Sequence, residues 1–206
     1  MMRKSVSSWM MIIMEMGKVR ISLPIALSAL VGYTMKTNYL DGSVWMLMAG
    51  VFLMSCSAAS INHIQEYKTD ALMPRTQNRP IPSGKISVKT GILIALMYFV
   101  YGAVILLANF PPIVFFTSFL TLVAYNGIYT PLKKVTAFAV VPGSLVGALP
   151  PYIGWFAGGG AMLDERILWV SLFFFIGQIP HFWLLLLMFG KQYSLAGYPS
   201  LNAVFD

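Results

Sequence analysis

The chain has 206 residues, of which 58% are hydrophobic and only 10% are charged, and its mean hydropathy is +0.74. A soluble domain of this size could not bury so much apolar side chain, so the composition excludes a soluble globular protein and indicates an integral membrane protein. The net charge of +7 does not indicate nucleic-acid binding, because the basic residues are spread over the loops between apolar stretches. The single cysteine, Cys56, excludes a disulfide framework within the chain.

The predicted elements begin with residues 1–18, a short apolar stretch with no small-residue cleavage site, which we expect to be an interfacial helix rather than a signal peptide. Six apolar stretches follow, each about 20 residues long and therefore able to cross a bilayer as a helix. Their predicted ranges are 20–37, 43–63, 88–109, 111–130, 136–157 and 166–189. The predicted fold class is all-α, a polytopic transmembrane helical bundle with about six spans, forming a single domain over residues 1–206.

The distribution of Lys and Arg predicts the orientation of this bundle. Twelve of these residues fall in the N-terminal segment, the second and fourth loops and the tail, whereas only Lys36 and Arg166 fall on the other side. Cytoplasmic loops carry the excess of basic residues. We therefore expect a multi-pass protein of the inner (cytoplasmic) membrane, with the N-terminus and the polar loops in the cytoplasm.

The most informative polar segment, residues 62–84, follows the second predicted span and has the sequence NHIQEYKTDALMPRTQNRPIPSG. The candidate metal ligands in it are Asn62, Glu66 and Asp70. Their spacing of four residues places them on one face of a helix, where two carboxylates can hold a divalent cation such as Mg²⁺. Arg75 and Arg79 follow and can bind phosphate oxygens in bidentate fashion. Alternatively, the two carboxylates lie at a solvated helix end, but the arginines that follow favour a site for a phosphorylated, lipid-soluble substrate.

A second cluster, YNGIYTPLKK at residues 125–134, lies near the cytoplasmic end of the fourth span. Tyr129, Lys133 and Lys134 form either an aromatic belt with positive-inside lysines or part of a phosphate site. The sequence leaves both interpretations open.

The last two spans contain polar or helix-breaking residues deep in apolar sequence. The fifth contains PGSLVGALPPYIGW. Its glycines and paired prolines break the helix, so the freed backbone polar groups must be covered by protein or lie in a cavity. The sixth contains GQIPHFW, with Gln178 and His181. An ionisable group inside a membrane is a functional candidate, so His181 either packs, lines a substrate cavity or binds a haem iron.

Taken together, these motifs resemble the UbiA superfamily of intramembrane prenyltransferases, and within it the branch that farnesylates protohaem. The similar segments, in chain order, are residues 18–23, 62–84, 129–155, 177–183 and 192–201. ALPPYIGW and PHFW favour the haem branch over the quinone and chlorophyll branches. The resemblance runs over nearly the whole chain.

The resemblance implies an enzyme that transfers a farnesyl group from farnesyl diphosphate to haem B, giving haem O, in a helical cavity open to the lipid bilayer. It implies Mg²⁺ as the cofactor, held with the diphosphate by residues that also serve catalysis. These implied metal and catalytic residues are Asn62, Glu66 and Asp70. The implied substrate-binding residues are Arg75, Arg79, Tyr129, Lys133, Lys134, Gln178, His181 and Tyr193.

The chain departs from the family pattern at Lys68, where an acid is common, and at Gln192, where relatives carry an aspartate. It also ends about three spans before the usual nine, so we expect the C-terminal helices of the family to be missing. Two alternatives remain open at this point. One is a related prenyltransferase that acts on an aromatic quinone precursor, and the other is an inactive, truncated membrane protein that binds isoprenoid or haem.

Overall fold

The structure is a computed structural model that describes residues 6–199, so residues 1–5 of the predicted interfacial segment and residues 200–206 lie outside the described residues. The helices, in chain order, are α1 (Val6–Met16), α2 (Val19–Thr37), α3 (Ser43–Asp70), α4 (Val88–Asn109), α5 (Pro112–Val123), a π-helix (Ala124–Tyr129), α6 (Thr130–Leu132), a 3₁₀ turn (Ala137–Ala139), α7 (Val140–Gly147), α8 (Leu149–Ala157) and α9 (Glu165–Leu195). Residues 6–199 contain no β-strand. The predicted all-α class is confirmed.

Five stretches among the described residues are long and apolar enough to cross a membrane. They are Ser43–Asp70, Val88–Asn109, Pro112–Leu132, Ala137–Ala157 and Glu165–Leu185. These match the second to sixth predicted spans. The first predicted span coincides with α2, which is less apolar because it carries Arg20, Pro24 and Lys36. That α2 crosses the membrane stays a prediction.

α2 and α8 pack with their backbones in direct contact. A β carbon added at Gly32 would collide with the carbonyl oxygen of Pro151, and one added at Gly154 would collide with the carbonyl oxygen of Ala29. Small residues allow such close helix approach in membranes. α2 starts at the polar end of the bundle, and the two glycines set how closely it packs against α8.

α3 is the central helix and packs against α2, α4 and α5. Its small residues bring α4 close, and the Ser57 hydroxyl donates to the carbonyl oxygen of Ala95 at 3.0 Å. The helix continues beyond the predicted end of its span at residue 63 as far as Asp70. This extension, which the sequence predicted, buries the side chains of Glu66 and Asp70 inside the bundle, next to the buried side chain of Asn62.

The π-helix between α5 and α6 changes the direction of the chain toward α3. The backbone N–H of Thr130 donates to the carbonyl of Tyr125, five residues earlier, in place of the α-helical bond four residues earlier. The carbonyl of Asn126 accepts a hydrogen bond from Gln65 Nε2 on α3 at 3.0 Å. The π-turn thus docks onto α3 beside the buried carboxylates.

Candidate active site

Glu66 is the most heavily bonded side chain at the cytoplasmic end predicted for the bundle. It is only 4% exposed, and Lys133 Nζ lies 2.7 Å from its Oε1 atom. The Tyr198 hydroxyl donates to Oε1 at 3.0 Å, and the side-chain amide of Asn62 donates to Oε2 at 2.9 Å. A buried carboxylate needs such partners, because an unpaired buried charge is costly. Residues from α3, the segment after α6 and the segment after α9 therefore converge on one group.

Asp70, one turn further along α3, is held by the loop that follows it. Arg79 Nη1 donates to Asp70 Oδ2 at 2.7 Å, and the Thr76 hydroxyl donates to the Asp70 backbone carbonyl at 2.9 Å. Asp70 is 1% exposed. The loop after α3 therefore folds back over the end of the helix and brings a guanidinium beside the second carboxylate.

Lys18 is a third base at this site, and the sequence analysis did not identify it as a site residue. Its Nζ atom donates to Asn62 Oδ1 at 2.7 Å. Lys18 precedes α2 with a φ of 45°, in the left-handed region, so the chain turns sharply here. Burial, together with the nearby charges of Arg79 and Lys133, lowers the pKa of Lys18 to about 7. A partly buried cation whose charge is disfavoured in this way would gain from an added anion.

The charges at this end of the bundle are unbalanced. Arg79 and Lys133 contact the carboxylates of Asp70 and Glu66 at 2.7 Å, and Lys18 contacts the neighbouring Asn62 at the same distance. Arg79 and Lys133 balance the two carboxylates, so protonation of Lys18 gives this end of the bundle a net positive charge, in surroundings where the effective dielectric is lower than in water. An anion with several oxygens is the ligand that this arrangement would stabilise.

A small cavity of about 90 Å³, which we call the aromatic cavity, adjoins Lys133, and four aromatic side chains contribute to its wall. The ring of Tyr129 packs against Tyr125 and Phe182 at centroid distances of 5.5 and 5.7 Å. Lys133 Nζ lies 5.5 Å from the centroid of the Tyr129 ring, which shows that a cation can sit between this face and Glu66. Tyr193 also lines the cavity. Lys133 and Tyr198 line the cavity and also contact Glu66, so the cavity lies beside this carboxylate.

The structure brings only some of the predicted substrate-binding residues together. Arg79, Tyr129, Lys133 and Tyr193 lie at the cavity or the carboxylates. Lys134 points elsewhere, because its Nζ donates to the backbone carbonyl of Gln65 at 3.3 Å on an exposed surface. Lys133 therefore lies at the cavity and Glu66, whereas Lys134 lies on the exposed surface.

Three other predicted residues lie away from the carboxylates. Arg75 is exposed and stacks on the ring of Phe189, 4.8 Å from its centroid. Gln178 lies against Gly147 on α7. His181 is exposed on α9, with its ring against Phe182 at a centroid distance of 6.0 Å, and it does not line the cavity. The structure therefore does not gather these three around Glu66, and their predicted roles stay predictions.

Tyr198 is the second residue that sequence reasoning missed. Its hydroxyl bridges Glu66 and the Thr69 hydroxyl, which lies 3.0 Å away, and the side chain is 6% exposed. Burial and the negative charge of Glu66 raise the pKa of Tyr198, so it is a neutral donor at physiological pH. Tyr198 lies in the AGYP segment after α9, and no pattern in the local sequence indicates that this segment contacts α3.

Gln192, at the end of α9, contacts the loop after α3. Its side-chain oxygen accepts a hydrogen bond from the Arg75 backbone N–H at 3.3 Å. This contact ties the end of α9 to the arginine-containing loop with a neutral oxygen. No group of three or more His, Cys, Asp or Glu side chains in the described part of the chain is arranged to hold a metal ion.

The UbiA prenyltransferase family model matches residues 21–206. A protoheme IX farnesyltransferase of Oleidesulfovibrio alaskensis is 35% identical over 182 residues, which cover 88% of this chain and 64% of that protein. The corresponding protein of Geobacter sulfurreducens is 34% identical, with 87% of this chain and 66% of that protein covered. The chain thus spans less than two thirds of the length of these relatives.

A similar protein from Colwellia psychrerythraea, also named protoheme IX farnesyltransferase, is 36% identical over 193 residues. Among solved structures, a digeranylgeranylglyceryl phosphate synthase in membranes superposes with a TM-score of 0.75. The superposition covers 94% of this chain and 68% of that one at 17% sequence identity. At that identity the likeness establishes the fold alone.

Proposed function

Because this chain belongs to the UbiA prenyltransferase family, we propose that it transfers a farnesyl group from farnesyl diphosphate to haem B, giving haem O. The relatives of 34–36% identity that carry the name protoheme IX farnesyltransferase support this choice of substrates. The observation that carries the proposal is the pair of buried carboxylates on α3, surrounded by three bases and bordered by an aromatic cavity.

The bases have a defined task in such a reaction. Breaking the bond between the prenyl C1 atom and the diphosphate oxygen leaves negative charge on the diphosphate, and preorganised cations lower the energy of that charge. Lys18, Arg79 and Lys133 are the side chains that would bind the diphosphate oxygens. Lys133 would have to exchange part of its contact with Glu66 for a phosphate oxygen, which it can do by rotating its flexible stem.

The carboxylates fit a Mg²⁺ ion that is shared with the substrate. Mg²⁺ is usually bound by one or two carboxylates together with phosphate oxygens and water, rather than by a cage of protein ligands. Glu66 and Asp70 provide two carboxylates on one face of α3, and the amide oxygen of Asn62 lies on the same face. When bound there, Mg²⁺ would supply further positive charge to the departing diphosphate.

The aromatic side chains would protect and orient the prenyl fragment. A carbon fragment that develops positive charge is stabilised by the faces of aromatic rings, and water must be excluded from it. Tyr129 offers such a face beside Lys133, and Phe182 and Tyr193 enclose the same cavity. These residues would thus hold the allylic carbon close to the acceptor carbon.

The direct test is to incubate the purified protein with farnesyl diphosphate, haem B and Mg²⁺ and to detect haem O by mass spectrometry. We expect haem O from the wild type and from Lys134→Met, and at least tenfold less from Lys133→Met. The reason is that Lys133 contacts Glu66, whereas Lys134 bonds to a backbone carbonyl on the exposed surface. Prenylation of an aromatic acid in place of haem B would favour the quinone branch. The absence of any transfer would refute the proposal.

We also propose that residues 1–206 act as a single domain whose carboxylate end faces the cytoplasm. All three bases at the site, and the loop after α3, belong to the side with twelve of the fourteen Lys and Arg residues. Diphosphate substrates are water-soluble at their head group, so an opening on the cytoplasmic side would admit them.

A further inference from the structure

The Glu66 carboxylate has its acceptor positions filled by protein donors. An ionised carboxylate offers about four lone-pair positions on its two oxygens. Lys133 Nζ contacts both oxygens, Oε1 at 2.7 Å and Oε2 at 2.9 Å. The Tyr198 hydroxyl donates to Oε1 at 3.0 Å, and Asn62 Nδ2 donates to Oε2 at 2.9 Å. A metal ion can therefore bind Glu66 only when one of these donors leaves.

Two of the three donor side chains are firmly held. Asn62 is 1% exposed, its Oδ1 atom accepts from Lys18 at 2.7 Å, and its Nδ2 atom also donates to the Thr130 hydroxyl at 3.3 Å. Lys133 carries the positive charge next to Glu66. Withdrawal of Lys133 before a metal ion arrives would leave a buried anion without its counterion, which is strongly unfavourable.

Tyr198 is the donor whose departure disturbs the site least. Its hydroxyl is uncharged, so the charge balance around Glu66 does not change when it leaves. The Thr69 hydroxyl lies 3.0 Å from the Tyr198 oxygen, but it also donates to the backbone carbonyl of Glu66 at 2.9 Å. Thr69 therefore keeps a partner after Tyr198 leaves, and Glu66 keeps its contacts with Lys133 and Asn62.

The backbone next to Tyr198 allows this side chain to move. α9 ends in a Schellman cap, in which the Tyr198 N–H donates to the Tyr193 carbonyl at 3.0 Å. The N–H of Gly197 donates to the Ser194 carbonyl, also at 3.0 Å. Gly197 is exposed, has a φ of 75°, and would place an added β carbon more than 4 Å from any neighbour. Rotation about this glycine moves Tyr198 without displacing α9.

Tyr198 also borders the aromatic cavity. Tyr193 and Tyr198 both line this cavity, with their rings edge to face at a centroid distance of 5.5 Å. A ligand that enters the cavity therefore touches the residue whose hydroxyl covers Oε1 of Glu66. Access to the cavity and access to the carboxylate thus depend on the position of one side chain.

We propose that Tyr198 is a gate on the carboxylate site: its hydroxyl occupies one metal-ligand position of Glu66, and a divalent cation binds there only after Tyr198 swings away about Gly197. This inference rests on the proposed function, because it takes Glu66 as a ligand of the Mg²⁺ that binds with the diphosphate. The gate keeps the affinity for Mg²⁺ low until a prenyl diphosphate enters the aromatic cavity and displaces Tyr198. Metal and diphosphate then bind with positive coupling beyond their direct attraction.

The test measures metal binding, so that it does not depend on turnover. Mn²⁺, which takes the same oxygen ligands as Mg²⁺, is titrated into the purified protein in detergent, and free Mn²⁺ is followed by electron paramagnetic resonance. Tyr198→Phe keeps the ring and removes the hydroxyl, so we expect it to bind Mn²⁺ about three- to tenfold more tightly than the wild type. Tyr152→Phe is the matched control and should bind like the wild type, because its hydroxyl donates to the Met162 carbonyl at the opposite end of the bundle.

Two further variants connect the effect to the Glu66 carboxylate. Thr69→Val removes the second contact of the Tyr198 hydroxyl and should raise Mn²⁺ affinity about twofold, so it keeps the test valid if Tyr198→Phe does not fold. Glu66→Gln should bind Mn²⁺ more weakly than the wild type. Addition of Tyr198→Phe to Glu66→Gln should change that affinity by less than about twofold, because the gate acts only through the carboxylate.

An unreactive farnesyl thiolodiphosphate tests the coupling between metal and diphosphate. We expect this analogue to raise the Mn²⁺ affinity of the wild type by a factor at least about threefold larger than in Tyr198→Phe, because the gate of the variant no longer closes.

Three results would overturn the proposal: Mn²⁺ binding by Tyr198→Phe that is no tighter than that of the wild type, an equal gain in the Glu66→Gln background, or the same effect of the analogue with and without the hydroxyl. Haem O formation by the wild type is assayed separately. Haem O formation together with any of these three results would refute the gate and leave the proposed function intact. Gated Mn²⁺ binding without transfer would refute the proposed function and leave the gate intact.

Discussion

Replacing Lys133 by methionine should destabilise the bundle as well as impair its chemistry. The substitution keeps the apolar stem but leaves Glu66, which is 4% exposed, without its cation at 2.7 Å. Removing one partner of a buried ion pair costs about 3–5 kcal/mol. Here the loss should be smaller, about 2–3 kcal/mol, because Asn62 and Tyr198 still donate to Glu66 and the Lys133 side chain is 22% exposed.

Reversible unfolding in mixed detergent micelles measures this free energy, with Lys134→Met as the control for loss of a neighbouring positive charge. The double variant Lys133→Met/Glu66→Gln should recover part of the stability, because it no longer buries an unpaired charge. We expect a coupling energy of about 1–3 kcal/mol between residues 133 and 66. If Lys133→Met is no less stable than Lys134→Met, or if the two substitutions are additive, the ion pair does not contribute to folding as the structure suggests.

Three further predictions concern the site and its orientation. Asp70→Asn should abolish prenyl transfer while the protein remains membrane-inserted, because the neutral amide removes a candidate Mg²⁺ ligand; near wild-type turnover at limiting Mg²⁺ would exclude that role. Lys18→Met should raise the dissociation constant for a prenyl diphosphate about tenfold through loss of a charge-assisted contact, whereas Lys18→Arg should stay within about threefold; equal affinities would place Lys18 outside the binding site. In a Cys56→Ala background, Ser83→Cys should react with a membrane-impermeant thiol reagent only in inside-out vesicles, and labelling from the outer face would reverse the topology.

The sequence predicted the helices well, because their apolar lengths match the thickness of a bilayer. The predicted span 88–109 coincides with α4, and the continuation of α3 through Asp70 follows from the spacing of its polar residues. The π-helix at Ala124–Tyr129 was not predicted. A π-helix forms where a backbone N–H bonds to the carbonyl five residues earlier instead of four. The hydrophobic periodicity of a sequence cannot distinguish these two bonding patterns over a single turn.

The site was predicted where its members are close in sequence, and missed where they meet only in the fold. Glu66 and Asp70 were identified because helix geometry alone places them together. Lys18 and Tyr198 approach Asn62 and Glu66 across 44 and 132 residues, and no local pattern encodes those contacts. The sequence also could not show which of the two adjacent lysines contacts Glu66. That depends on the direction of the helix after the π-turn, which turns Lys133 toward Glu66 and Lys134 toward the Gln65 carbonyl.

The π-helix has a consequence for how this site can change during evolution. A π-turn holds one residue more than the α-helical turn it replaces, so it behaves as a one-residue insertion. Loss of one residue from Ala124–Tyr129 would turn the π-turn into an α-helical turn and leave the following residues facing nearly the same way, so Lys133 would keep its contact with Glu66. Loss of one residue from the regular α-helix before it would instead rotate the following residues by about 100° around the helix axis. The π-turn is therefore the place where this segment can change length by one residue without separating the ion pair.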